Sequence, residues 1–216
     1  IGTDGGLLKS PVSRSSVLLG AGERLDVLVD LSDLPVGQAL ELMSNPIVKG
    51  GGKAFSVQKF VAEARRSAKF EAPPTLSNVQ TISAVESVNK AGDKSFQLRP
   101  TNQGWTIDGL TYEPNSVSAK ESMEPATTEI WEFDHTVAGM AHPMHIHGSQ
   151  FQVLERISGS FTGAFDEGWK DTVLLLPGDR VRVIKRFHKH AGLFVYHCHN
   201  LEHEDHSMMR NFRIDP

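Results

Sequence analysis

From Val79 onward the chain is a succession of short strand-like runs: residues 79–84, 95–99, 105–110, 128–133, 151–156, 173–176, 181–187 and 193–197. Gly, Pro, Asn and Asp punctuate them. Runs this short and this regularly punctuated build β-sandwiches. No long amphipathic helix and no strong internal repeat competes with that reading. Ahead of these runs, 17–19 and 25–30 read as strands on either side of Gly20-Ala21-Gly22, the second alternating apolar and polar residues. Residues 39–42 and 55–62 suggest two more, and Gly50-Gly51-Gly52 marks a loop. Residues 64–70 tolerate a short helix, which Ala72-Pro73-Pro74 ends. The expected organisation is an all-β chain in two parts, 1–63 and 79–216, joined by a linker over 64–78.

Composition narrows the function classes. At 216 residues, 39% hydrophobic and 22% charged, the chain can bury a real core and has an ordinary globular make-up. A net charge of -4 gives no electrostatic case for nucleic acid or an anionic membrane. No apolar run approaches the roughly 18 residues that span a bilayer. One cysteine, Cys198, permits no internal disulfide and leaves the redox compartment open. The opening, Ile1-Gly2-Thr3-Asp4-Gly5-Gly6, reads as mid-domain, as expected of a fragment, a nicked product or part of something longer, with any targeting signal upstream.

All ten histidines lie at or after His135. Six fall in two tight groups, His142-Pro143-Met144-His145-Ile146-His147, and His197-Cys198-His199 with His203. A lone histidine is usually a surface residue or a satisfied core residue, and His135, His188, His190 and His206 are read so. Two clusters, one holding the only thiol, point to metal. Side chains alternate along a strand. His197 and His199 therefore share one face while Cys198 points to the other. His145 and His147 share a face, and His142, at an odd offset, takes the opposite one.

Two sites follow. One collects Cys198 and His142, and the spacing Cys-x4-His-x4-Met adds His203 and Met208. Two imidazoles, a thiolate and a thioether are the donor set of a blue copper site. Zinc also accepts Cys and His, but a structural zinc site usually has paired cysteines and no use for a thioether. The other site collects His145, His147, His197 and His199, a set that suits copper, zinc or iron. Peptide bonds join Cys198 to His197 and His199, so the two sites are covalently connected.

These residues resemble the multicopper oxidases, a family that includes laccases, bilirubin oxidases, copper-efflux oxidases and spore-coat laccases. Its two motifs, His-Pro-x-His-x-His and His-Cys-His-x3-His-x4-Met, stand at 142–147 and 197–208. Gly168-Trp169-Lys170-Asp171-Thr172 is similar to the bacterial members, although Trp169 and Asp171 gain no role from the likeness. Asp4-Gly5-Gly6 and Gly22-Glu23-Arg24-Leu25-Asp26-Val27 resemble the middle domain of three-domain enzymes. The resemblance implies a cupredoxin-type Greek-key β-sandwich, complete over 79–216, preceded by part of another cupredoxin domain. It also implies that His142, Cys198, His203 and Met208 bind type 1 copper, His145 type 2 copper, and His147, His197 and His199 the type 3 pair. Ser207 stands where the family often has Gly or Ala, with the Met spacing intact. Met209 is the rival axial ligand, and the spacing favours Met208.

The family's trinuclear cluster takes eight histidines, four from its first domain, and this chain has none before His135. An N-terminal part of the same enzyme is expected to supply them. The implied activity is one-electron oxidation of a phenolic or aromatic substrate, or Cu(I), with O2 reduced to water at four coppers in the complete enzyme. Electrons would travel from Cys198 to His197 and His199, and Glu204, beside His203, would relay protons. Met140 stands where copper-efflux oxidases place a cuprous-ion methionine. With only six methionines and no Met-rich insert, phenols are favoured over Cu(I). Location is expected to be periplasmic or extracellular. A cupredoxin electron carrier is the alternative, but it leaves His145, His147, His197 and His199 without a purpose. His199 argues against a nitrite reductase, and the full ligand set argues against a redox-silent scaffold.

Overall fold

The computed structural model describes residues 1–47, 53–64, 71–137, 139–157 and 164–216. The Gly50-Gly51-Gly52 loop and most of the short helix expected over 64–70 lie outside them. Contacts group Ile1–Asp26 with Thr75–Pro216 as one unit and Val27–Pro74 as another. A domain division at 1–63, 64–78 and 79–216 rests on descent rather than contact and stays a proposal.

The first unit begins with β1 (Gly2–Thr3), β2 (Gly6–Leu7) and β3 (Leu25–Asp26), a small antiparallel sheet ordered β2-β1-β3. In the second unit β4 (Ala39–Ser44) and β5 (Phe55–Val61) form an antiparallel hairpin that leaves Leu40, Leu42, Phe55, Val57 and Val61 exposed. The rest of the first unit contains β6 (Ser95–Thr101), β7 (Gly104–Ile107), β8 (Ser122–Met123), β9 (Thr128–His135) and β10 (His142–Ile146). It continues with β11 (Phe151–Ile157), β12 (Thr172–Leu175), β13 (Asp179–Arg186), β14 (Gly192–Cys198), the short helix α1 (Leu201–Asp205) and β15 (Met209–Ile214). One five-stranded sheet runs β12-β10-β14-β15-β8 and the other β11-β13-β9-β6-β7. Only the β15–β8 and β6–β9 pairings within them are parallel.

The two sheets enclose one core. Phe96, Trp131, Phe133, Val181 and Val183 from one sheet meet Met144, Ile146, Val173, Tyr196 and Phe212 from the other. Phe96 and Tyr196 pack edge to face at 5.1 Å, and Trp131 and Phe212 at 5.5 Å. Each such buried side chain stabilises the fold by roughly 1.5–3 kcal/mol. No helix among the described residues is long and apolar enough to cross a membrane.

Several expected runs differ. Residues 17–19 form no strand, and of 25–30 only Leu25–Asp26 pairs. The run at 79–84 is irregular: the Gln152 side chain takes the Ile82 N–H, and a Ser83–Glu86 capping box then turns the chain at Ala84–Glu86. These polar side chains give the backbone partners that a ladder would otherwise supply.

The amino-terminal segment is fastened by buried charge. Lys170, 1% exposed, lies 3.1 Å from Glu23 and 3.6 Å from Asp4, whose side chains are also buried. Asp4 accepts from the N–H groups of Arg24, Asp171 and Thr172, and Glu23 from those of Gly20 and Leu174.

Candidate metal centre

Strand register sorts the candidate ligands. In the β10–β14 ladder Met144 lies opposite Cys198 and His145 opposite His197. Partners in a ladder share a face, so Cys198 joins Met144 on the core side and His145 joins His197 on the outer side. His142, two residues before Met144, falls on the core side as well. His199 lies just past the end of β14, where its N–H donates to the Pro143 carbonyl at 2.7 Å. The same register separates the two methionines. Met209 pairs with His197 on the outer face, while Met208 is wholly buried in the core with Cys198, whose N–H it accepts at 3.0 Å.

The inner site is three donors around a gap. Cys198 Sγ lies 3.6 Å from His142 Nδ1 and 3.5 Å from His203 Nδ1, and the two nitrogens are 3.1 Å apart. Transition-metal bonds to such donors run about 2.0–2.3 Å, which at angles of roughly 100–110° gives donor separations of about 3.1–3.6 Å. The residues therefore fit a metal held by three atoms. Asn200 Nδ2 approaches His203 Nδ1 at 3.4 Å and donates to the Ala141 carbonyl. Burial pushes the Cys198 thiol up to about 12 and, with His135 and His203 adding to it, holds His142 down to about 2. Without metal the pocket holds neutral groups, and binding must displace the thiol proton.

Two neighbours escaped the sequence reading. Trp105 packs edge-on against His142 with ring centroids 4.3 Å apart and also borders His135 and His203. A Cβ on Gly139 would stand 2.3 Å from the Trp105 ring. His135, expected to be a surface or satisfied core histidine, is buried but only half satisfied. It packs 4.7 Å from His142, with Nε2 on the Met140 carbonyl and Nδ1 unpartnered. Met140 itself is exposed.

The outer site gathers imidazoles. Donor atoms of His145, His147 and His197 lie within 4.8 Å of one another, and the His199 ring centroid is 5.6 Å from those of His145 and His197. His145 Nδ1 is 2.8 Å from the Asp171 carbonyl and 3.0 Å from Thr172 Oγ1. A carbonyl only accepts, so Nδ1 carries the proton and Nε2 keeps its lone pair. The same argument applies to His197, whose Nδ1 donates to the Cys198 carbonyl at 3.1 Å. Its bare Nε2 faces His147 Nε2 at 3.2 Å, a donor set open to a cation. Burial, then His145, holds His147 down to about 4. Glu204, half-buried on α1, exerts its charge on both His197 and Cys198. The cluster opens into a depression of about 600 Å³, whose lining includes His145, His147, Trp169, Asp171 and His188. His188, expected to be a surface or satisfied core histidine, is thus on its rim.

The chain as a whole is similar to several known proteins. The multicopper oxidase family profile matches residues 73–216. A laccase from Bacillus subtilis is 32% identical over 248 residues, covering 100% of this chain and 46% of its own length. A multicopper oxidase from Staphylococcus haemolyticus is 30% identical, covering 99% of this chain and 42% of its own. The crystal structure of a variant of McoA, a multicopper oxidase from Aquifex aeolicus, superposes with a TM-score of 0.86 at 32% identity. It covers 100% of this chain and 49% of that one. This chain therefore spans less than half the length of these relatives, and its sandwich has the cupredoxin-like form seen in them. On the match over 73–216, with the likeness to these relatives running the whole length of this chain, the chain belongs to the multicopper oxidase family.

Proposed function

We propose that this chain is the carboxy-terminal part of a laccase-like oxidase. It takes electrons singly from a phenolic or aromatic substrate, or from Cu(I), and delivers them to O2. The observation that carries the reading is the bonded triplet His197-Cys198-His199, whose middle residue faces the inner site and whose outer residues face the imidazole cluster. In this reading His142, Cys198, His203 and Met208 hold type 1 copper, His145 holds type 2 copper, and His147, His197 and His199 hold the type 3 pair. Bound copper supplies one-electron acceptance at the inner site and reduction of O2 at the outer one.

The chain's own residues prepare both sites. Burial of His142 and Cys198 excludes water from the inner donors. The carbonyls of Asp171 and Cys198 set the tautomers of His145 and His197, leaving Nε2 unprotonated on each. Two peptide bonds give the electron a covalent path between the sites. Glu204 stands within electrostatic reach of both and is the proposed proton relay. The half-open outer cluster supports completion by four histidines from an N-terminal part of the same enzyme. We further propose a periplasmic or extracellular location, on the family likeness alone. A single-copper electron carrier would leave the outer cluster unused.

The test is copper counting with absorption and EPR spectra on the full-length enzyme. Near four coppers and an intense blue band lost in Cys198→Ser are expected. A colourless zinc protein would sink the proposal.

A further inference from the structure

The geometry points to the turn Gly20–Arg24, more than a hundred residues away in sequence, as the device that positions two imidazoles of the outer cluster, His145 and His199. The inference rests on the reading that His145 binds a metal.

Arg24 is the first half of the device. Its Nη1 and Nη2 donate to Asp171 Oδ1 and Oδ2, each at 2.6 Å. The same two nitrogens donate to the carbonyls of Gly22 at 2.8 Å and Asp4 at 3.1 Å. Both terminal nitrogens of the planar fork are therefore engaged, and a lysine could not reproduce them. Asp171 passes this constraint on. Its carbonyl accepts from His145 Nδ1, its Oδ1 lies 3.5 Å from the same nitrogen, and Oδ1 also accepts from Thr172 Oγ1, which itself lies 3.0 Å from His145 Nδ1. Ring angle and tautomer of His145 thus depend on Asp171, and Arg24 holds the Asp171 carboxylate.

Gly22 is the second half. It sits at φ 84°, where a side chain is strained, and a Cβ there would stand 2.5 Å from His199 Cδ2 and 2.6 Å from Cγ. Backbone therefore lies directly against the His199 ring. The turn is itself pinned. Glu23 ties it to Gly20, Leu174 and Lys170, and Asp4 takes the Arg24 N–H at 2.7 Å. Arg24 and Gly22 are positioning residues, acting through Asp171 and through contact.

The experiment compares the full-length enzyme with Arg24→Lys, which keeps the charge and loses the fork. Expected is a type 2 copper removed by a chelator roughly ten- to a hundredfold more readily, with the type 1 blue absorption and the apoprotein melting temperature unchanged. Nitrogen NMR of the metal-free protein should show His145 as the Nδ1–H tautomer in the parent and as a mixture in Arg24→Lys. Equal copper retention and the same tautomer in both would overturn the inference. So would equal loss of both copper types with a lowered melting temperature, which would make the turn merely structural. A parent that binds no copper at His145 would refute the oxidase reading, while the tautomer comparison would still decide for or against the turn.

Discussion

Replacing Arg210 by methionine should be among the most damaging single changes outside the metal sites. Arg210 on β15 is buried, and its Nε and Nη2 donate to Glu121 at 2.9 and 2.7 Å. Glu121, only 1% exposed, also accepts from Tyr196 Oη at 2.7 Å and the Ser118 N–H at 2.6 Å. Arg210→Met removes the compensating charge and two of the four donors while the carboxylate stays buried. Breaking a buried pair this way costs about 3–5 kcal/mol. At roughly 2–4 °C per kcal/mol, the unfolding midpoint should fall by about 6–20 °C. Adding Glu121→Leu should restore most of the loss, because no buried charge then remains. The pH dependence has a definite sign. Burial pushes the Glu121 carboxyl up, but bonds from Arg210, Ser118 and Tyr196 outweigh it and hold the folded value below the ordinary one. The stabilisation is thus present above the ordinary carboxyl range and is lost as pH falls through the lowered folded value. The gap between parent and Arg210→Met should narrow in acid. Urea unfolding followed by tryptophan fluorescence, at neutral pH and below pH 4, measures the cost, the rescue and the narrowing, and a thermal melt gives the midpoint shift. A cost under about 1 kcal/mol, a double variant no better than the single, or a gap that fails to narrow would refute the reasoning.

Three further changes probe the inner site and its surroundings. Ser207 sits at φ 74°, a conformation that favours glycine, so Ser207→Gly should raise stability by about 0.5–1 kcal/mol, and an unchanged or lower unfolding midpoint would count against it. Trp105→Ala removes the ring packed 4.3 Å from His142 and should shift or weaken the blue absorption. Gly139→Ala should act the same way, because its Cβ would occupy the space of that ring, and spectra identical to the parent in both variants would argue against Trp105 shaping the site.

Much of the site is readable in the sequence because strand alternation is a local rule. Once 142–147 and 197–199 are taken as extended, the separation of Cys198 from its flanking histidines follows, and the β10–β14 register has that parity. The strands at 95–101, 128–135, 151–157 and 179–186 were likewise legible from their apolar runs and closing turns. The strand Met209–Ile214 escaped notice because Arg210, Asn211 and Arg213 interrupt its apolar pattern, although Arg210 and Asn211 are buried on polar partners.

Residue type and a period of two, both local, decide the candidate donor set and its division between two faces. What stands behind those donors comes from packing. Trp105 against His142 and Arg24 reaching Asp171 join elements far apart in the chain, while His135 beside His142 and Met208 rather than Met209 in the core depend on how the chain turns between strands. No local periodicity encodes such contacts. They exist because two sheets pack and because buried Lys170 draws Asp4 and Glu23 onto them, bringing the amino-terminal turn against the imidazoles.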